Sequence, residues 1–308
     1  MRIPSLLTRM MTVTAITCLS VLSCKKETSD SNELTPQEEE SVAMMSSESE
    51  AAAESAYDDV FNSVIGVNTE VGMGGVGIFG QSASNGSQET ARTDSNNRCF
   101  TVTITRLNLP EPFPLRVVID FGAGCVGPDG RLRSGKIITE YTGRLVVPGK
   151  SATTSFDNYK VDSISVAGTH KVTNTSTSNI LQFTIDITNG KLTRPNGNYV
   201  EWNSHKVKTQ FEGLGTPFFP LDDQYRIEGH ASGKVKHGSY VALWKSEIIE
   251  PLIRKFTCRW IVKGAIKVRR ETLSSTSPWV STLEYGNGTC DNKATLIING
   301  VSHQITLH

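Results

Sequence analysis

The chain has 308 residues, equal numbers of basic and acidic residues (31 each), an apolar share of 37% and an aromatic share of 7%. This length suffices for one large domain or two small ones with a core. No apolar run reaches the roughly 18 residues of a spanning helix, which excludes a polytopic membrane protein. β-Branched and aromatic residues recur through the second two-thirds, which excludes wholesale disorder.

The first residues have the layout of an export signal. Arg2 and Arg9 precede a mainly apolar stretch, residues 10–22, that is too short to anchor the chain by itself. The stretch ends in the tetrapeptide Val-Leu-Ser-Cys, residues 21–24. This tetrapeptide resembles the lipobox of bacterial lipoproteins, in which an aliphatic, a variable and a small residue precede an invariant cysteine.

The resemblance implies a lipid anchor. Cleavage would fall between Ser23 and Cys24, so residues 1–23 are a lipoprotein signal peptide, and Cys24 would carry diacylglycerol and an acyl chain such as palmitate. Several acyl chains give stable anchoring where one does not. Lys25 stands where the family's inner-membrane proteins have Asp, which implies the outer membrane, facing the periplasm or the cell surface. The alternative is a secretory signal with a chance cysteine.

Residues 24–91 form an acidic leader. From residue 27 to residue 91 there are 13 acids and no Lys or Arg, whereas residues 92–308 carry 27 basic and 18 acidic residues, a net charge of +9. We expect the leader to be a solvated tether. Alternatively, the basic body meets anionic glycans or lipid head groups. Nucleic acid is not an expected partner, because the basic residues are scattered rather than clustered among stacking aromatics.

The leader also contains a helix start and a glycine-rich segment. Thr35, Pro36 and Glu38 predict an N-cap, a first helical position and a capping box, followed by a narrow apolar stripe that either docks on the body or forms weakly. Residues 72–77 match the three-glycine dinucleotide pattern, but loop-like sequence follows them. We therefore predict a flexible hinge and no cofactor.

The body, residues 92–308, has the pattern of an all-β domain. Residues 99–105 alternate, with threonines predicted to face outward and aliphatic residues inward. Further alternating segments and turn signals predict antiparallel sheets, arranged as a sandwich or an extended meander. The predicted strands are 181–187, 198–207, 263–269, 295–298 and 303–307, and the predicted turns lie at Asp129-Gly130, Asn189-Gly190, Asn196-Gly197 and Asn299-Gly300, with a bulge or turn at Asp162-Ser163.

Four cysteines remain after the signal peptide and the lipobox are set aside, and an exported chain with an even remainder predicts two disulfides. Residues 118–125 resemble residues 283–290: each segment has an acid, an aromatic, two glycines and a cysteine, and a strand with another cysteine precedes each. This apparent duplication pairs Cys99 with Cys125 and Cys258 with Cys290. The alternative, a metal site, is not favoured, because the cysteines lack the CxxC or Cys/His spacing that such sites have.

No assembled catalytic or metal-binding motif is found in the sequence. Asp120 and Glu284 occupy equivalent places in the two cysteine units, where we expect them to cap glycine-turn amides rather than to act as a carboxylate pair. His230 and His237, at odd spacing, would face opposite ways on a strand. Four tryptophans are mostly core candidates, and Trp279 is the one expected to be exposed.

As a whole the chain resembles Gram-negative envelope lipoproteins that share a lipobox, an acidic linker and a β-rich body with paired cysteines, a resemblance that implies a location and no activity. We therefore expect a non-enzymatic, lipid-anchored envelope protein with a binding or structural role, whose partner is a glycan or an envelope protein. The rival is a glycan or peptide hydrolase with carboxylates roughly 5 to 9 Å apart on the β body. A third reading is a subunit of a larger envelope assembly.

Overall fold

The structure is a computed structural model, and it describes residues 35–67, 99–127, 129–215, 222–271 and 280–307. These residues form one long helix and 14 strands, so the all-β class is confirmed. The elements are α1 (Pro36–Ile65), β1 (Thr101–Arg106), β2 (Leu115–Asp120), β3 (Cys125–Val126), β4 (Leu132–Tyr141), β5 (Ser151–Val161), β6 (Ile164–Asn174), β7 (Gln182–Thr193), β8 (Tyr199–Glu212), β9 (Gln224–His237), β10 (Tyr240–Lys255), β11 (Ile261–Arg270), β12 (Val280–Asn287), β13 (Lys293–Ile298) and β14 (Val301–Thr306).

The helix begins where its sequence predicts. The Thr35 hydroxyl accepts a hydrogen bond from the Glu38 amide at 3.3 Å, and the Glu38 carboxylate accepts one from the Thr35 amide at 2.9 Å, which together make a capping box. Pro36 occupies the first turn, where its missing amide hydrogen costs no hydrogen bond. The helix ends at Gly66, whose amide donates to the Asn62 carbonyl. Within the described residues, no helix combines the length and apolar character that a membrane crossing requires.

The strands form a single antiparallel meander rather than a sandwich. Each strand from β4 onward pairs with the next one along the chain, β2 lies between β1 and β4, and the short β3 pairs with one end of β4. Two-residue turns at Asp162-Ser163 and Asn299-Gly300 have positive φ at both positions, as tight hairpins require. The Asn189-Gly190 prediction of a turn is wrong: the pair lies inside β7, where the register shifts and forms a bulge.

The sheet curls around α1. Asp58 and Asp59 are neighbours in the helix, yet Asp58 pairs with Arg254 of β10 and Asp59 pairs with Arg133 of β4. Those strands are six positions apart in the sheet, which would separate them by about 29 Å if the sheet were flat. The curl is also closed by Arg259, after β10, which lies 3.3 Å from Asp162 in the β5–β6 turn. The helix therefore occupies the concave side of the sheet.

The concave side carries the core. Its aromatic side chains come from both the helix and the sheet. Tyr57 of the helix stacks on Trp202 of the sheet with ring centroids 5.4 Å apart, and Phe61 of the helix meets Phe183 of the sheet edge to face. The inward-facing expectation for the first strand is wrong. β1 is an edge strand and is mostly exposed, so Ile104 is among the exposed apolar side chains.

Both predicted disulfides are present, Cys99–Cys125 and Cys258–Cys290. Each follows the same plan, since one cysteine precedes a strand and the other follows the strand that pairs with it, β1 with β2 and β11 with β12. Each disulfide therefore closes the open end of a hairpin.

Candidate functional site

Four acids of α1 point into the protein rather than into solvent. Glu50, Glu54 and Asp58 follow one another at intervals of four residues, which places them on one helix face. Asp59 lies beside them, and all four side chains are buried. The expectation that the leader acids are solvated is therefore wrong for these four, because the curled sheet supplies a cation or a hydrogen-bond donor to each.

Asp59 is held by the first part of the sheet. Its carboxylate accepts hydrogen bonds from Nε of Arg133, at 3.1 Å, and from the Tyr159 hydroxyl, at 3.0 Å; a second guanidinium nitrogen of Arg133 pairs with the other carboxylate oxygen. Arg133 also pairs with Asp129, and Arg131 approaches Asp59 to 3.8 Å. The bidentate contact between Arg133 and Asp59 fixes the orientation of the guanidinium and of the carboxylate.

Asp58 is held by the middle of the sheet. Lys208 Nζ lies 2.6 Å from Asp58 Oδ1, and a guanidinium nitrogen of Arg254 lies 3.0 Å from Oδ2. Burial alone would raise the pKa of Asp58, but the two cations outweigh it and lower the pKa to about 2. Asp58 is thus a structural anion at neutral pH.

Glu50 and Glu54 share Lys206, whose Nζ lies 3.5 Å and 3.1 Å from their respective oxygens. Burial would lower the pKa of Lys206, but the charges of Glu54 and Glu50 raise it. Glu50 also accepts hydrogen bonds from the indole nitrogens of Trp202, at 2.7 Å, and Trp244, at 3.3 Å. Both buried indole nitrogens therefore have an acceptor, and Lys206 faces the two carboxylates as their ion-pair partner.

A cavity of about 320 Å³ lies alongside these ion pairs, and we call it the helix cleft. Its floor is the face of α1 that includes Met45, Ala51, Ala52 and Ser55. The remaining lining residues fall into two sets. One set comes from the start of β6, the β7–β8 turn region and the end of β9. The other set comes from the end of β10, the β10–β11 connection and the ends of β12 and β14. A volume of this size is typical of a small-molecule site.

Three lining residues of the helix cleft carry hydrogen-bond donors that have no acceptor among the described residues. They are Nε of Arg259, the indole nitrogen of Trp260 and the hydroxyl of Tyr285. Tyr285 is only 3% exposed, so its side chain is shielded from bulk solvent. Because buried donors without acceptors are rare and costly, this wall is suited to a ligand that brings acceptor oxygens.

A second cavity, of about 700 Å³, lies on the convex face across β7 to β11, and we call it the outer groove. The groove follows a row of directly paired positions, Asp186, His205, His230, Glu247 and Lys267. His205 Nδ1 lies 2.7 Å from Asp186 Oδ1, and the two imidazole centroids are 5.7 Å apart. The titratable side chains of this row are exposed, so the helix cleft is the more enclosed of the two sites.

The chain was compared with known protein families, curated proteins and solved structures. No family model, no curated protein and no solved structure matches it. The assignment of a site therefore depends on the geometry of the chain itself.

The predicted functional residues fall in several places. Asp120 accepts a hydrogen bond from the Gly122 amide at 2.8 Å, as expected of a turn cap, whereas Glu284 lies exposed in β12 and accepts no such bond from the described residues. His230 lies in the outer groove and His237 lies at the helix cleft. Among the described residues, no group of three or more His, Cys, Asp or Glu is arranged to hold a metal ion. Ser23, Cys24, the glycine-rich segment 72–77 and Trp279 lie outside the described residues.

The sequence reasoning did not find the buried ion pairs. A signal was present in β8, where Lys206 and Lys208 share the phase of the core residue Trp202. Cations at core positions of a strand require buried anions. The only uninterrupted acidic segment of the chain precedes the β body, and its acids at positions 50, 54 and 58 have the spacing of one helix face.

Proposed function

We propose that this chain is a lipid-anchored protein of the bacterial outer membrane that binds a small ligand in the helix cleft. The observation that carries the binding role is the wall formed by Arg259, Trp260 and Tyr285, where three donors without acceptors adjoin a cavity of about 320 Å³.

The lipobox-like residues 21–24 support the anchor and its position at Cys24. The two disulfides support export, because such bonds persist in the oxidising envelope and are rare in the cytosol. Lys25 after the cysteine supports the outer membrane over the inner membrane.

Carboxylate chemistry is less well supported than binding. A hydrolase needs one carboxyl that holds its proton near neutral pH beside one that does not. In the helix cleft, Asp58 has a lowered pKa and two cationic partners, and Glu54 pairs with Lys206. The pKa of Asp223 is raised to about 6 by burial and by the charge of Asp222, but Asp223 lies outside the cleft.

The anchor is tested by expressing the full chain with Cys24→Ala in a Gram-negative host fed labelled palmitate. We expect loss of label, loss of globomycin-sensitive processing and release from the outer-membrane fraction. The matched control is Cys18→Ala, which removes a cysteine of the signal peptide and leaves labelling intact. Retained label in Cys24→Ala would refute the anchor.

The binding role is tested with the chain from residue 24 onward carrying Cys24→Ser, screened against glycans, peptides and amphiphiles. Ala52→Trp places an indole on the cleft floor and is expected to abolish binding of any hit. Ser155→Trp, on the exposed side of β5, is the control and leaves binding intact. Binding that is equally strong in both variants would refute the helix cleft as the site.

A further inference from the structure

We infer that the ligand of the helix cleft is an anionic amphiphile, namely a carboxylate with an apolar chain of medium length. This inference rests on the proposed binding role and adds the chemical class of the ligand. It follows from three features of the cleft: its aliphatic lining, its uncompensated positive charge and its donors without acceptors.

The aliphatic lining of the cleft can bury the apolar chain of the ligand. Seven aliphatic side chains line the cleft, four from β6 to β9 and three from β11 and the end of the chain: Ile164, Leu192, Val200, Val235, Ile261, Ile305 and Leu307. The floor opposes them with the small residues Ala51 and Ala52. The cavity of about 320 Å³ lies at the small end of the range for small-molecule sites. This size fits a single apolar chain of medium length better than the two chains of a phospholipid.

The charges of the residues that line the cleft favour an anionic head group on the ligand. The buried acids of the lining already have cations, since Glu54 pairs with Lys206 and Asp58 pairs with Lys208 and Arg254. Arg194 and Lys236 also line the cleft, and no carboxylate among the described residues forms an ion pair with either.

The remaining charged lining residues do not reverse this balance. Glu48 is the one lining acid to which the described residues supply no cation; it is exposed, as Arg194 is, so water screens both, and the half-buried Lys236 remains as a cation. Arg259 lies 3.3 Å from Asp162 but keeps Nε without an acceptor among the described residues, and His237 also lines the cleft. The charge left for a ligand is therefore positive, which attracts an anion and repels a cation.

The hydrogen-bond donors of the cleft wall can bind the oxygens of the ligand's head group. Arg259, Trp260 and Tyr285 offer N–H and O–H groups, and a carboxylate accepts through two oxygens with about four lone-pair directions. Hydrogen bonds to an ionised acceptor are about twice as strong as those between neutral groups. A neutral alcohol of the same length would satisfy fewer of these donors and would leave the cations unpaired.

The test compares decanoate with decanol by isothermal titration calorimetry, with the chain from residue 24 onward carrying Cys24→Ser at pH 7.5. We expect decanoate to bind at least tenfold more tightly than decanol, with an affinity that falls as salt increases. Replacing both Arg194→Gln and Lys236→Gln should reduce the affinity for decanoate about tenfold and leave that for decanol unchanged. The matched control, Lys267→Gln with Arg269→Gln, removes the same charge from the outer groove and should change neither affinity.

The outcomes separate this inference from the proposed function. Equal affinity for decanoate and decanol, abolished by Ala52→Trp, would refute the anionic class and leave the cleft as a binding site. Binding of neither amphiphile, alongside a glycan or peptide hit that Ala52→Trp abolishes, would also refute the ligand class and retain the proposed function. Binding of neither amphiphile and no other cleft-dependent hit would refute both.

Discussion

Lys208 of the sheet and Asp58 of the helix form an ion pair that is closed to solvent, with Nζ 2.6 Å from Oδ1. The ammonium group also lies 4.1 Å from the centroid of the Phe61 ring, so the helix surrounds it with both a charge and an aromatic face. Removing one partner leaves the other as a buried charge with poor compensation.

We therefore expect Lys208→Met to destabilise the protein by about 3 to 5 kcal/mol, because Asp58 then keeps one cation, Arg254, and the weak hydrogen bond from Asn62. The double replacement of Lys208→Met and Asp58→Leu should cost clearly less than the sum of the single replacements, since it removes both charges. Urea unfolding followed by circular dichroism measures the three free energies. Additive effects would show that the pair carries no coupling energy.

The bulge in β7 gives a steric prediction. A Cβ added at Gly190 would lie 2.6 Å from the Trp202 carbonyl oxygen and 2.7 Å from the Tyr57 hydroxyl, which itself donates to the Ala167 carbonyl. We expect Gly190→Ala to cost about 1 to 3 kcal/mol in the free energy of unfolding, because the helix must shift away from the sheet. Gly215→Ala is the control: a Cβ there meets no atom of the described residues within 4 Å, and the variant should stay within about 0.5 kcal/mol of the parent.

The acid response of stability contains two opposing contributions. Burial lowers the pKa of His170 to about 4. The unfolded chain therefore takes up a proton between pH 6.5 and 4 that the folded chain does not, so stability falls across this window as pH falls. Asp223 acts in reverse: its pKa is raised to about 6, so the folded chain is protonated first as pH falls from 6 to 3.8, and stability rises.

Urea unfolding at pH 7 and pH 4.5 separates the two contributions. His170→Phe should lose less stability than the parent on acidification, and Asp223→Asn should lose more. Parallel behaviour of both variants with the parent would contradict these assignments.

The disulfides should differ in their effect on ligand binding. Both close loops of similar length, with sequence separations of 26 and 32, so removing either should cost about 3 to 4 kcal/mol. Only Cys258 adjoins the cleft wall, being next to Arg259. We expect the double replacement of Cys258→Ser and Cys290→Ser to weaken cleft binding, and that of Cys99→Ser and Cys125→Ser to leave it unchanged. Calorimetry at a temperature where both variants remain folded decides this.

The strands, the helix start and the disulfides could be predicted because their signals are local or repeated. Alternation identified β8, the Thr35–Glu38 pair identified the helix start, and the duplicated cysteine units identified the pairing. The single curled sheet could not be chosen over a sandwich, because alternation states which residues face inward and not how the strands bend. The Asn189-Gly190 bulge has the same dipeptide signature as a hairpin turn, so only the long continuous β7 distinguishes them.

The helix cleft could not be predicted because its residues are distant in the sequence. Met45, Arg194 and Tyr285 meet only after the sheet curls. Composition was misleading for the leader, since an acidic segment without bases is typical of a solvated tether. The partners of its acids lie far along the chain, Arg133 for Asp59 and Lys208 for Asp58, where no local pattern links them.

The position of α1 at the start of the chain has a consequence for biosynthesis. Each hairpin of the meander closes between consecutive strands, but the acids of the helix wait for partners made much later: Asp58 meets Arg254, and Glu50 meets Trp244. Such contacts of high sequence separation form slowly. A chain synthesised only as far as β7 lacks Lys206, Lys208 and Arg254 and has no cation for Glu50, Glu54 or Asp58. In a growing chain, therefore, Asp59 can meet Arg133 once β4 is made, but the ion pairs of Glu50, Glu54 and Asp58 are completed only when β8 and β10 have followed.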